Sequence, residues 1–247
     1  MKTEPRYLKI IFLVFLILQT ILFISILFVP HLPLVNVFEY VSILLSLSFS
    51  LFVFLKKRSI FTLLIFIALI FTAIADTFLV FLNSYLNVTT QTIAMISFSL
   101  CQLTYFILIW NITQNSRERF LNLLIRTFFF LGLEVAAVSI LGSSYNFLIF
   151  VSLFYFSQLV TNIIFAFLHI KINLFLAIGL LLFIGCDIFI GLSTLCDIFA
   201  LSQSHFLYIF AHLPFNFAWF FYLPSQVLLS SSGLFFKRKL LISENGL

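Results

Sequence analysis

Apolar stretches of about twenty residues recur along the whole chain, and each is long enough to cross a bilayer as an α-helix. The chain is 63% hydrophobic and only 9% charged, whereas a soluble domain carries about a quarter of charged residues. These charges are too few to cover a surface that faces water. The alternating short segments of a transmembrane β-barrel are not seen either. We therefore predict an all-α polytopic membrane protein, with residues 1–247 forming a single helical bundle.

The hydrophobic pattern predicts eight transmembrane helices joined by short connections, so that neighbouring helices run antiparallel. Their predicted bounds are Tyr7–Val29, Leu34–Leu55, Ser59–Leu82, Gln91–Ile112, Phe120–Gly142, Tyr145–Leu168, Ile172–Leu195 and His205–Ser230. The chain has no segment that reads as a linker or a separate soluble domain.

Basic residues fix the predicted orientation of the bundle. Lysine and arginine precede the first span and follow the second, fourth, sixth and eighth, whereas the connections "PHLPLVN", "NSYLNVTTQ", "GSSYN" and "CDIFALSQS" contain none. The positive-inside rule then predicts that both termini are cytoplasmic, and we expect the plasma membrane as the location. Short basic loops at a membrane face account for the net charge of +5, so no nucleic-acid partner is expected.

The three cysteines give no sign of a metal site or of a disulfide framework. Cys101, Cys186 and Cys196 lack the close spacing of metal ligands. We interpret them as small apolar residues that pack between helices, and we expect no metal and no other cofactor.

Four acidic residues fall inside the predicted spans: Glu39, Asp76, Glu134 and Asp187. A charge at the middle of a bilayer costs about 2.5–3.5 kcal/mol, which makes these residues informative. Asp76, Glu134 and Asp187 lie roughly 9–12 Å below the outer rim when depth is counted at about 1.5 Å per residue. Glu39 is slightly shallower, and His212 lies about as deep as Asp187. This layer predicts a polar cavity that opens outward; the alternative is that these groups only hydrogen-bond helices together.

A weak internal repeat relates the two intramembrane aspartates. The segments "AIADTFLVFL" and "FIGCDIFIGL" align around Asp-x-Phe and lie four spans apart. Gln102 follows Asp76 by 26 residues, and His212 follows Asp187 by 25. The repeat suggests two parallel four-helix halves.

Four segments resemble the YhhN-type lysoplasmalogenases, a family of eight-span membrane proteins. They are "AIADTFLVF", "MISFSLCQLTYFILI", "LLFIGCDIFIGL" and "FFYLPSQVLLSSS". The residues at the family's motif positions are Asp76, Phe98, Gln102, Tyr105, Asp187, Tyr222 and Gln226. Gln102 stands where many members have histidine, and the Lys-Pro pair common in the family's second span is absent, so this chain resembles a divergent member.

The resemblance implies hydrolysis of the vinyl-ether bond of a lysoplasmalogen to a fatty aldehyde and a glycerophospho-alcohol. Asp76 and Asp187 would be the catalytic pair, one carboxyl donating a proton while the other stabilises the cation and acts as base. The predicted substrate-binding residues are Gln102, Tyr105, Glu134, His212, Tyr222 and Gln226. The expected partner is a membrane lipid or lysolipid.

Two other functions fit the same residues. A transporter of protons or a small solute would use the carboxylates as coupling sites. A non-catalytic lipid-binding member of the family would explain why the motif histidine is missing.

Overall fold

The computed structural model describes residues 6–28, 34–82, 85, 87–213 and 215–236, with only the backbone for residues 197 and 198. Throughout these ranges the regular structure is helical, and no strand occurs. The all-α prediction is therefore confirmed for this part of the chain.

Nine α-helices occur in the described part of the chain. Their bounds are α1 Arg6–Phe28, α2 Val35–Lys57, α3 Ile60–Asp76, α4 Val88–Ile112, α5 Ser116–Leu141, α6 Phe147–Leu168, α7 Leu174–Ile198, α8 Phe206–Ala211 and α9 Phe217–Phe235. A π-helical segment, Thr77–Phe81, continues α3, and a 3₁₀ segment, Gly142–Ser144, continues α5. Helices α1 to α7 are long and apolar enough to cross a membrane, as a polytopic membrane protein requires.

Short polar side chains in the connections cap the N-termini of several helices. Ser59, Asn87, Asn115, Asn146 and Asn216 each accept a hydrogen bond from a backbone N–H in the first turn that follows. Such caps satisfy donors that the helix itself leaves unpaired. The loops that interrupt the apolar runs therefore also fix where α3, α4, α5, α6 and α9 begin.

The predicted eighth span, His205–Ser230, is divided into two helices. Helix α8 ends at Ala211, and α9 begins at Phe217 with Asn216 as its cap. The sequence has a proline at position 214, which removes a helical donor and disfavours helix in the preceding residue. Residue 214 itself lies outside the described residues. Pro224, by contrast, is accommodated inside α9.

Six helices form a closed ring of neighbours. Helix α2 contacts α3, followed in turn by α4, α6, α7 and α9, and α9 contacts α2 again. A further contact between α3 and α9 fills the ring. Helix α1 packs outside against α2 and α9, and α5 packs outside against α6. The main hydrophobic core therefore lies among α3, α4, α6, α7 and α9.

Contacts at one end of the bundle tie several helix ends together. Lys57 at the end of α2 donates from Nζ to the carbonyl oxygen of Leu234 in α9, at 2.5 Å. The Nε2 atom of His169, after α6, lies 3.0 Å from Oε1 of Glu118 and 2.9 Å from the Thr113 hydroxyl. The ends of α2 and α9 are thus joined to each other, and the ends of α4 and α6 are joined to the start of α5. We call this the basic end, since the basic connections lie there.

Candidate functional site

Asp76 is buried at the last residue of α3 and is paired with a tyrosine of α9. Its side chain is 3% exposed. The Tyr222 hydroxyl donates to Oδ2 of Asp76 at 2.5 Å, a distance that fits a hydroxyl bound to a carboxylate. Residues 146 positions apart in the chain are joined by this bond.

Asp187 on α7 forms a second pair of the same kind. The hydroxyl of Tyr155 on α6 donates to its Oδ2 at 2.5 Å. Asp187 is half-buried, whereas Tyr155 is buried. The family motif does not include Tyr155, so the sequence analysis did not select it. The available signal was its spacing on α6, three and seven residues before Gln158 and Asn162.

The two pairs meet at residues of α7. The ring of Phe183 lies 6.4 Å from that of Tyr155 and 5.4 Å from that of Tyr222, between centroids. Cys186, the residue before Asp187 on α7, is also buried. We call this group the aspartate–tyrosine centre. It consists of Asp76, Tyr155, Phe183, Cys186, Asp187 and Tyr222.

A π-helical segment begins directly after Asp76. The Thr77 hydroxyl lies 2.8 Å from the hydroxyl of Tyr40 on α2, and the rings of Tyr40 and Phe81 stack at 5.0 Å. π-Helical segments are rare in proteins, and those that occur are often found at functional sites. Helix α2 therefore contacts the residue that directly follows Asp76 in the chain.

Glu39 is the third predicted carboxyl group and lies on a helix that contacts α3 and α9. It precedes Tyr40 on α2 and is 6% exposed, and Tyr40 contacts Thr77, the residue that follows Asp76. Of the predicted acidic layer, Asp76 and Asp187 thus belong to the centre, and Glu39 lies on the helix that contacts the residue after Asp76.

Glu134 belongs to a different contact. It lies on the peripheral helix α5, and its Oε2 accepts a hydrogen bond from the hydroxyl of Tyr145 in the connection to α6. This hydrogen bond raises the pKa of Tyr145 to about 12. The described contacts of Glu134 do not join it to the aspartate–tyrosine centre.

His212 requires a correction of the predicted layer. Because α8 ends at Ala211, His212 does not continue a helical face toward Tyr222. Its side chain is exposed, its ring stacks on Tyr208 at 4.1 Å, and its Nδ1 lies 2.9 Å from the Tyr208 carbonyl oxygen. Among the described contacts, none brings His212 to Asp187.

Three predicted substrate-binding residues keep unpaired polar atoms in the interior. Nε2 of Gln102, the hydroxyl of Tyr105 and both side-chain polar atoms of Gln226 are buried without a hydrogen-bond partner among the described residues. Gln102 and Tyr105 are fully buried, and Gln226 is nearly so. Buried polar groups are normally paired, so these atoms retain capacity to bind a polar ligand.

The sequence analysis did not select a buried arginine on α5. Arg126 is 7% exposed, and its guanidinium donates to Asn122 on its own helix and to Gln158 and Asn162 on α6. The ring of Phe106 on α4 lies 4.3 Å from Cζ. The signal was the four-residue spacing within each helix, 122 to 126 and 158 to 162, which places each pair on one face.

Two surface depressions open at the end opposite the basic end. One of about 370 Å³ lies between α7, α8 and the start of α9, and its lining includes Phe189, Ser193 and Asn216. The other, of about 440 Å³, lies between the starts of α4 and α6 and includes Thr92 and Asn146. Neither lining includes the two aspartates of the centre.

Comparisons with family models, with curated proteins and with solved structures found no match to this chain. In the described part of the chain, no group of three or more His, Cys, Asp or Glu residues is placed to hold a metal ion.

Proposed function

We propose that this chain is a membrane-embedded lipid hydrolase, similar to lysoplasmalogenases, that cleaves the vinyl-ether bond of a lysolipid. The observation that carries the proposal is the meeting of two aspartate–tyrosine pairs, drawn from four helices, at the buried ring of Phe183. A pair of carboxyl groups from separate helices suits acid–base chemistry on one bond.

The chemistry requires a proton donor, an anion and a water molecule. One aspartate in its acid form protonates the vinyl carbon, and the positive charge that develops on the ether side is stabilised by the other aspartate in its ionised form. That second carboxylate accepts a proton from water as the water adds to the cation. As the resulting hemiacetal collapses to the aldehyde and the alcohol, the first carboxylate accepts its hydroxyl proton and the second carboxyl group protonates the departing alcohol oxygen, so both aspartates return to their starting forms.

The tyrosines hold the carboxyl groups in place for this reaction. Each hydroxyl engages Oδ2 of its aspartate, so that Oδ1 remains for substrate or water. Asp187 is the more exposed of the two aspartates. The lipid accordingly approaches from the side of α6 and α7, with its hydrocarbon chain in the apolar layer.

The proposed topology has eight crossings, with α8 and α9 together forming the last one. Both termini are cytoplasmic, and the basic end faces the cytoplasm of a cell bounded by the plasma membrane. Two parallel four-helix halves are supported by the order of contacts. Helices α2, α3 and α4 follow one another as α6, α7 and α9 do, and α1 packs on α2 as α5 packs on α6.

The test uses purified protein and a lysoplasmalogen with a choline head group. The wild type is expected to release fatty aldehyde, and Asp76→Asn and Asp187→Asn are each expected to reduce the rate by at least a hundredfold. Glu134→Gln is the matched control because it removes an intramembrane carboxylate outside the centre. Full activity in either aspartate variant would contradict the paired mechanism, and bound lipid without turnover would favour a non-catalytic lipid-binding protein.

A transporter is the second candidate, and the unpaired interior atoms of Gln102, Tyr105 and Gln226 favour it. Those atoms offer a polar route inside the helix bundle. Proteoliposomes distinguish the two functions: flux of protons that is lost in Asp76→Asn, without aldehyde release, would establish transport instead of hydrolysis.

A further inference from the structure

Three buried polar side chains form a continuous hydrogen-bonded chain across three helices. Nη2 of Arg126 on α5 donates to Oδ1 of Asn162 on α6, at 2.9 Å. Nδ2 of Asn162 donates to Gln102 on α4, at 3.0 Å to Oε1 and 2.8 Å to the backbone carbonyl oxygen. Asn162 and Gln102 are fully buried, and Arg126 is 7% exposed.

The charge on Arg126 fixes the direction of every bond in this chain. A guanidinium has only donors, so the group of Asn162 that faces it is the carbonyl oxygen. The amide nitrogen of Asn162 therefore faces Gln102, whose Oε1 accepts. The remaining polar atom, Nε2 of Gln102, is then turned away from Asn162 as a donor, and it has no partner among the described residues.

Gln102 lies one helical turn from a residue that contacts the aspartate–tyrosine centre. Gln102 follows Phe98 by four residues on the same face of α4. The ring of Phe98 lies 5.5 Å from that of Tyr155 and 5.8 Å from that of Phe183. Gln102 is thus one helical turn from a side chain that touches the centre directly.

We propose that Arg126, acting through Asn162, orients Gln102 so that its Nε2 donates a hydrogen bond to an oxygen atom of the bound lipid. Arg126 and Asn162 are positioning residues, and Gln102 is the ligand-binding one. The nature of the ligand, a lysolipid with an ether or hydroxyl oxygen, rests on the proposed function. The orientation of Gln102 rests on Arg126 and Asn162 alone.

The chain offers a matched pair of variants. Both Asn162 and Gln158 accept a hydrogen bond from Arg126, but only Asn162 donates to Gln102. Asn162→Asp and Gln158→Glu each place a carboxylate beside the same guanidinium. An aspartate at 162 can only accept, so it no longer donates to Gln102, whereas the change at 158 leaves that donation intact.

The first measurement is binding of a 1-O-alkyl lysophosphocholine, which keeps the ether oxygen but has no vinyl bond to hydrolyse. We expect its Kd to rise about tenfold in Asn162→Asp and in Gln102→Leu, the size of one lost hydrogen bond. In Gln158→Glu it is expected to stay within about twofold. Equal changes in Asn162→Asp and Gln158→Glu, or no change in either, would overturn the proposal.

The second measurement needs no ligand and no activity. The side-chain ¹⁵N resonance of Gln102, assigned by its loss in Gln102→Leu, is expected to shift in Asn162→Asp and to stay in place in Gln158→Glu. If the wild type binds no ether lysolipid, both the proposed function and the proposed class of ligand are refuted. The resonance then decides the orientation by itself, and an unshifted signal in Asn162→Asp refutes it.

Discussion

Removing the hydroxyl of Tyr222 is expected to destabilise the protein more than removing that of Tyr155. Both hydroxyls donate to an aspartate at 2.5 Å, so the two bonds are alike in length. Their surroundings differ, because Asp76 is 3% exposed whereas Asp187 is half-buried. A hydrogen bond to a charged group contributes about 1.5–3 kcal/mol to the free energy of unfolding, and this contribution is lost in full when a buried acceptor is left unpaired. At Asp187 water can replace the hydroxyl, so we expect about 0.5–1.5 kcal/mol.

The assay is reversible unfolding of Tyr222→Phe and Tyr155→Phe in the same detergent, each combined with the alanine variant of its aspartate, which removes the acceptor. The double-mutant cycle isolates the bond from other effects of losing the hydroxyl. We expect a coupling energy of more than about 1 kcal/mol for Tyr222 with Asp76 and a smaller one for Tyr155 with Asp187. Equal couplings, or a larger one at Asp187, would refute the argument from burial.

Two further predictions concern packing and pH. A Cβ atom at Gly185 would lie 2.9 Å from ring atoms of Phe221, whereas one at Gly191 would meet nothing within 4 Å. Gly185→Ala should therefore destabilise the protein by about 1–3 kcal/mol, and Gly191→Ala should stabilise it by about 0.5–1 kcal/mol. Unfolding midpoints in the reverse order would contradict this. Because its hydrogen bond to Glu134 raises the pKa of Tyr145 to about 12, that bond contributes fully below the ordinary tyrosine pKa of about 10 and is lost as pH rises through about 12. The difference in tyrosinate absorbance between wild type and Tyr145→Phe measures this midpoint, and a midpoint near 10 would exclude the bond.

The length and spacing of apolar runs predicted most of the helices well. The predicted Leu34–Leu55 and Gln91–Ile112 correspond to α2 and α4, whose bounds differ by at most three residues. Such runs are visible in the sequence because every residue in them contributes to hydropathy. The division of the last span was not predicted, since a short break capped by Asn216 changes the hydropathy average very little.

Which residues form the site was harder to predict than where its aspartates lie along their helices. Helical rise alone gave Asp76, Glu134 and Asp187 a common depth. Depth does not say which helices adjoin, and Glu134 lies on the peripheral helix α5. Likewise, the partner of Asp187 depends on the contact of α6 with α7, and a linear spacing pattern does not contain that contact.

The two aspartates differ in when their tyrosine partners are translated during synthesis. Tyr155 precedes Asp187 by 32 residues, so that pair can close as soon as α7 joins the membrane beside α6. Tyr222 follows Asp76 by 146 residues, and chains emerge from the ribosome at roughly 5–20 residues per second. At that rate Tyr222 is added roughly 7–30 seconds after Asp76. A nascent chain that stops before α9 therefore carries a carboxyl group on α3 that lacks the hydroxyl partner of the finished protein.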